Sequence, residues 1–94
     1  MDKELRVLLN KLTIADEEIA GLVELCPGLD IVDWNNAGAC IKIVVDAGYP
    51  IEDISSLIYV NPGFMMYDPN DLISILEEFD GDIEEILKDN PFLI

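Results

Sequence analysis

Carboxylates are the side chains of this sequence best equipped for chemistry. Twenty Asp and Glu stand against five Lys and Arg, with no His. Two carboxylates across a scissile bond can act as acid and base, but one of them needs an apolar pocket that raises its pKa. Nothing in the sequence marks such a pocket, and a charge run of this kind is expected to be a solvated face. Asp80-Gly81-Asp82 and Asp68-Pro69-Asn70 have the opening spacing of a calcium loop. The register then fails, because Leu72 stands where the third ligand belongs and no Gly or closing Glu is in step. The cluster allows weak divalent binding and no dedicated site. Ser55 and Ser74 have no His to activate them, and there is no Gly-rich phosphate loop. Cys26 and Cys40 lie 14 residues apart, which fits no metal or redox motif. Cys26 is expected as a buried thiol, with the free state favoured over a Cys26–Cys40 disulfide. The residue types therefore predict no catalytic, cofactor-binding or metal site and no enzyme.

What remains is recognition. Gly63-Phe64-Met65-Met66-Tyr67 is the most hydrophobic connection in the chain. Phe64 is expected to pack inside. Met65, Met66 and Tyr67 stand open between packing under the next helix pair and serving as adaptable anchors for a partner. The acids Glu77, Glu78, Asp80, Asp82, Glu84 and Glu85 are the other candidate contacts. Charge is unevenly distributed: Lys3, Arg6 and Lys11 fall in the first eleven residues, whereas from Thr13 onward 18 acids face 2 bases. A field of that sign repels nucleic acid and anionic membrane and attracts basic partners. The expected partner is a protein with a basic surface, with neither nucleic acid nor membrane.

These residues must be held by helices. A phrase occurs three times, at Glu18–Leu29, Asp53–Phe64 and Asp82–Leu93. Each copy has an acid, then Ile, then apolar residues at +3 and +4 from the Ile. Cys or Asn follows at +7, Pro at +8, and Leu or Phe at +10. The Ile residues, Ile19, Ile54 and Ile83, are spaced 35 and 29 residues apart. Positions 0, +3, +4 and +7 share one helix face. The leading acid suits the positive end of the helix dipole. Proline, with no N–H and a steric restraint on the residue before it, ends the helix. Leu29 and Phe64 are expected to fold back as plugs between their own helix and the next, and Leu93 to plug its own unit. Helices this short need neighbours to be stable.

Along the chain, Leu5, Leu8, Leu9 and Leu12 predict a first amphipathic helix over 3–12. Thr13, with Asp16 three residues on, predicts the start of a second helix running to Cys26. Asp33 is the expected N-cap of a third, with Trp34, Ala37, Gly38, Ile41, Val44 and Val45 on its face. The β-branched run Ile41–Val45 could form a strand on propensity alone, but its flanks favour helix. The small side chains Ala37-Gly38-Ala39 predict either a close helix contact or a kink. Gly48 closes that helix and Pro50 opens the next. Asp68-Pro69 gives the clearest helix start, with Leu72, Ile73, Leu76 and Phe79 as its face. The expected fold is all-α: three tandem helix pairs, about six short helices, stacked as a small helical-repeat array. It forms one domain with units at about 3–29, 33–64 and 69–94. The 51 % hydrophobic content and mean hydropathy of +0.30 set the chain apart from a disordered acidic tail despite its charge of −15.

Gly48-Tyr49-Pro50-Ile51-Glu52-Asp53-Ile54 running to Asn61-Pro62, and Asp82-Ile83 running to Asn90-Pro91-Phe92-Leu93, resemble repeats of the mitochondrial transcription termination factor (mTERF) family. The resemblance implies a curved all-helical stack. Members of that family have more repeats and bind nucleic acid along a basic groove, whereas this chain has three units and is acidic, so only the architecture carries over. Leu25-Cys26-Pro27-Gly28-Leu29-Asp30 and Phe79-Asp80-Gly81-Asp82-Ile83-Glu84 are also similar to parts of CUE- and UBA-type ubiquitin-binding domains. Three functional expectations follow. The first is a non-enzymatic acidic helical-repeat module for protein–protein interaction. The second is an acidic inhibitor or immunity-type protein that masks a basic nucleic-acid-binding surface. The third, ranked lower, is a ubiquitin-binding-like module. With no signal peptide or spanning run in the sequence, a cytoplasmic location is expected. A monomer is favoured over a homodimer, and a homodimer would use the C-terminal unit, where Phe92 and Ile94 are left to be placed once Leu93 plugs its own unit.

Overall fold

Four helices begin where an aspartate side chain takes the amide two residues ahead. Asp2 caps α1 (Lys3–Lys11), Asp33 caps α3 (Trp34–Asp46), Asp68 caps α5 (Pro69–Glu77) and Asp82 caps α6 (Ile83–Asp89), with N···O distances of 2.8, 3.3, 2.9 and 2.9 Å. Each bond satisfies one of the amides that a helix start leaves free. The computed structural model describes residues Met1–Ile94 and holds six α-helices, four 3₁₀ turns and no strand. The run Ile41–Val45 is helical within α3.

The second helix departs from expectation. Thr13 does not cap it. Its φ of 67° places it in the left-handed region, where it turns the chain out of α1. The N-cap of α2 (Asp16–Leu25) is Ala15, two residues later, and the Glu18 carboxylate accepts from the Ala15 N–H at 2.9 Å. That is the reaching-back half of a capping box, with no hydroxyl at the cap to supply the other half. α4 (Ile54–Val60) grows out of a 3₁₀ turn at Ile51–Asp53.

All three phrases end alike. Cys26, Asn61 and Asn90 adopt φ of −136°, −139° and −144° with ψ of 83°, 73° and 93°. A proline then opens a 3₁₀ turn at Pro27–Asp30, Pro62–Met66 and Pro91–Leu93. In each, the amide two residues past the proline (Leu29, Phe64 or Leu93) donates back to the carbonyl before it. The stripe isoleucines Ile19, Ile54 and Ile83 are all buried, as are the plugs Leu29 and Phe64. The third plug differs. Leu93 is 46 % exposed and Phe92 66 % exposed, while Ile94 is 7 % exposed. The Asn61 side-chain amide donates to the Pro91 and Ile94 carbonyls at 2.9 and 3.0 Å, so the turn is held with Ile94 facing inward.

α3 packs against both α1 and α5 and against the turn Pro62–Met66, which in turn meets the turn Pro27–Asp30. α1 passes close to Gly38 without needing a glycine there: a Cβ would stand 3.8 Å from Leu8 Cδ2, an ordinary contact. One cluster of 21 buried apolar residues, from Leu5 to Ile94, runs through all six helices, and no polar or charged side chain is buried. The long axis measures 36 Å against 22 and 20 Å. Cys40 is the buried thiol; Cys26 is only half-buried, and both are free. Trp34, expected to lead the inner face of α3, is 40 % exposed, and the buried positions are Ala37, Cys40, Ile41 and Val44.

Candidate functional site

The three candidate anchors after Phe64 go to three different environments. Met65 is fully buried in the core and is no surface anchor. The 3₁₀ turn that follows Pro62 points it inward beside Phe64. Met66 is 40 % exposed, and its thioether lies so close over Gly28 that a Cβ there would come within 2.7 Å of the sulfur. Tyr67 is half-buried. Its carbonyl accepts from the Asn36 side-chain amide at 2.8 Å and from the Cys40 thiol at 3.4 Å. Asn36 also donates to the Met65 carbonyl at 3.1 Å, so this segment is fastened to α3 through its backbone.

Of the six acids, Glu77, Glu78, Asp80, Asp82 and Glu85 are exposed and Glu84 is half-buried. Glu84 and Asp53 each bind the Lys88 ammonium at 2.7 Å. These hydrogen bonds, Asp53's foremost, raise the Lys88 pKa well above its ordinary value and keep the group charged. Lys88 thereby ties α6 to the turn before α4. Asp82 has a structural task as well, as the cap of α6.

The turn at Gly81, whose φ of +122° suits glycine, separates two hollows. The larger is an open cleft of about 470 Å³. α3 contributes Ile43 and Asp46 and is followed by its C-cap Ala47, α5 contributes Ile73, Leu76 and Glu77, and Phe79, Gly81 and Ile83 close it. Ile73, expected on the buried face of α5, is 39 % exposed here; Leu72 and Leu76 carry the core contact instead. The second hollow, about 370 Å³, is lined by Asp80, Gly81, Asp82, Glu85, Ile86 and Asp89. None of its four carboxylates takes part in any of the five ion pairs of the molecule. The structure thus brings Asp80, Asp82 and Glu85 together, puts Glu77 across the Gly81 turn in the apolar cleft, and leaves Glu78 outside both. No group of three or more carboxylates or thiols converges to hold a metal ion.

Sequence reasoning passed over Ile43 and Ala47 and assigned Ile73 and Phe79 to packing. The available signal was apolar residues lying off the core stripe of their helix. Carboxylates with displaced pKa values are shifted downward. Asp16 is lowered by hydrogen bonds from Asn10 and then Arg6, Glu18 by Tyr59 and then the Ala15 amide, and Asp2 chiefly by the Trp34 amide. Such groups are held ionised, whereas a general acid must be held protonated. Burial pushes the Cys40 thiol up, away from the reactive thiolate. No helix is long and apolar enough to cross a membrane. No protein-family model, curated protein or solved structure matches the chain.

Proposed function

We propose that this chain is a non-enzymatic acidic helical module that binds another protein through its α5–α6 unit. One observation carries the proposal. Between Asp68 and Asp89 nine carboxylates stand against one ammonium, and that ammonium is already taken by Asp53 and Glu84. Carboxylates without an internal partner beside an open apolar cleft suit a protein surface rich in Lys and Arg. The module acts as a monomer, because a second copy would add the same charge of −15. Its architecture is a degenerate three-unit helical repeat of the mTERF type. The shared backbone at Cys26-Pro27, Asn61-Pro62 and Asn90-Pro91 supports that reading.

The test is capture from the native host on the immobilised chain at low salt, followed by a salt gradient. Retained proteins should be basic and should elute as the salt rises. They should be missing from a control carrying Glu77→Gln, Glu78→Gln, Asp80→Asn and Glu85→Gln. Equal retention by that control, or none by the natural chain, overturns the proposal. The same charge favours a second reading, in which the module masks a nucleic-acid-binding surface. There, the partner's own nucleic acid should release it from the column.

A further inference from the structure

The cleft beside the Gly81 turn is lined by six apolar side chains, two acids and Gly81 itself. Ile43, Ala47 and Ile73 lie along its walls. Asp46 and Glu77 stand at the same walls, and Asp80, Asp82 and Glu85 lie just across Gly81. It is an open trough, and a small molecule in it would stay largely wet, whereas ligand pockets bury roughly 70–90 % of what they hold. Each wall is about one helical turn long, residues 43–47 at the C-terminal end and cap of α3 and 73–77 of α5, or about 6 Å at 1.5 Å per residue. That length matches the spacing between neighbouring anchors on one face of a docked helix.

A second copy of this chain is a poor occupant. The exposed apolar side chains near its C-terminal turn, Phe92 and Leu93, follow Asp89, and the nearest base in sequence, Lys88, is engaged by two carboxylates. Charge complementarity selects the opposite chemistry. We infer that the cleft seats one or two large apolar side chains from a Lys- or Arg-rich amphipathic helix of a partner protein. The acids around Gly81 draw the basic flanks of that helix over the turn. The inference rests on the protein-binding reading above and adds where the partner sits and what it presents.

The probe is a labelled synthetic helix with Leu at i and i+4 and otherwise Lys, Arg and Ala. A control peptide of the same composition places its two Leu on opposite faces. Fluorescence anisotropy should show saturable binding of the probe and weaker binding of the control. Ile73→Ser, at a part-exposed position, and Ala47→Arg, which obstructs the cleft from an exposed one, should each weaken the probe by about fivefold or more. Unchanged melting temperatures would show that both variants still fold. Glu77→Gln with Asp80→Asn should flatten the salt dependence. The inference is overturned if both peptides bind alike, if neither cleft variant changes binding, or if the probe does not bind at all. Capture of basic proteins would survive each of those results, so the wider reading fails only on the capture experiment.

Discussion

Single side chains in this molecule divide sharply by position on the helix. Ile54 is 1 % exposed, whereas Ser55, the next residue, is half-buried and off the stripe. Ile54→Ala should cost about 2–5 kcal/mol, because the lost methylenes leave a cavity, while Ser55→Ala should stay within about 0.5 kcal/mol. Urea unfolding of the two variants checks this; equal losses would remove the stripe as the organising feature. The hydroxyl of Tyr59 donates to the Glu18 carboxylate at 2.6 Å, joining the second phrase to the first. That bond lowers the Glu18 pKa and raises the Tyr59 pKa. A lowered carboxylate contributes stability above its unfolded value, about 4.3, and loses it as pH falls through the folded value. A raised phenol contributes below its unfolded value, about 10, and loses it as pH climbs through the folded value. The stability gap between the natural chain and Tyr59→Phe should therefore be flat near neutrality and shrink at both extremes. A gap as wide at pH 2.5 as at pH 7 would show that the bond does not form.

Among the elements, α3 carries the most consequence, since α1, α5 and the Pro62–Met66 turn all pack on it. Gly38 lies in its middle with room for a methyl group, so glycine there weakens the helix without a steric need. Gly38→Ala should raise stability by about 1 kcal/mol through helix propensity. Gly81 is the opposite case. Its φ of +122° is one that a residue with a Cβ rarely adopts, and Gly81→Ala should cost about 1–3 kcal/mol in backbone strain. Thermal melts of the pair should move in opposite directions; a shared direction would mean that α3 is kinked at Gly38 or that the Gly81 turn relaxes. Asn36 is the fastener between α3 and the Pro62–Met66 turn with Tyr67 after it. Asn36→Ala removes the side-chain donor of the Met65 carbonyl and leaves the Tyr67 carbonyl with only the Cys40 thiol, and should speed hydrogen exchange through residues 62–67 before the rest of the core.

At the scale of the whole molecule, the charge of −15 is spread over a body 36 Å long. Most like-charged pairs are thus farther apart than the Debye length of about 10 Å at 0.1 M salt. Moderate salt should screen their repulsion while weakening the exposed ion pairs little, because such pairs contribute little to begin with. The melting temperature should therefore rise between about 0.01 and 0.15 M salt. A fall would mean that the ion pairs outweigh the repulsion. The same field predicts no saturable binding to duplex DNA near physiological salt, which a gel-shift titration checks.

The all-α class, the starts at Asp33 and Asp68, the proline-ended phrases and their buried isoleucines were legible in the sequence. Each is set by chemistry within a few residues: a carboxylate reaching a nearby amide, a proline lacking a donor, an apolar face repeating every turn. What tertiary structure decided was which of two adjacent apolar residues goes inside. Met65 is buried and Met66 is not, Leu72 is buried and Ile73 lines the cleft, and Ile94 turns in where Leu93 was expected. For Leu72 and Ile73 in α5, the step of about 100° around the axis from one residue to the next leaves both neighbours within reach of one apolar stripe, and in the turns at Met65–Met66 and Leu93–Ile94 no helical period marks the inner side. The choice between them depends on how each element is rotated against α3 and on the Asn36 and Asn61 amides that fix the turns. Those partners lie 29 to 33 residues away along the chain, beyond the reach of any local pattern. The cleft is likewise a property of two helices and a glycine turn meeting, so its residues carry no signature until the chain is folded.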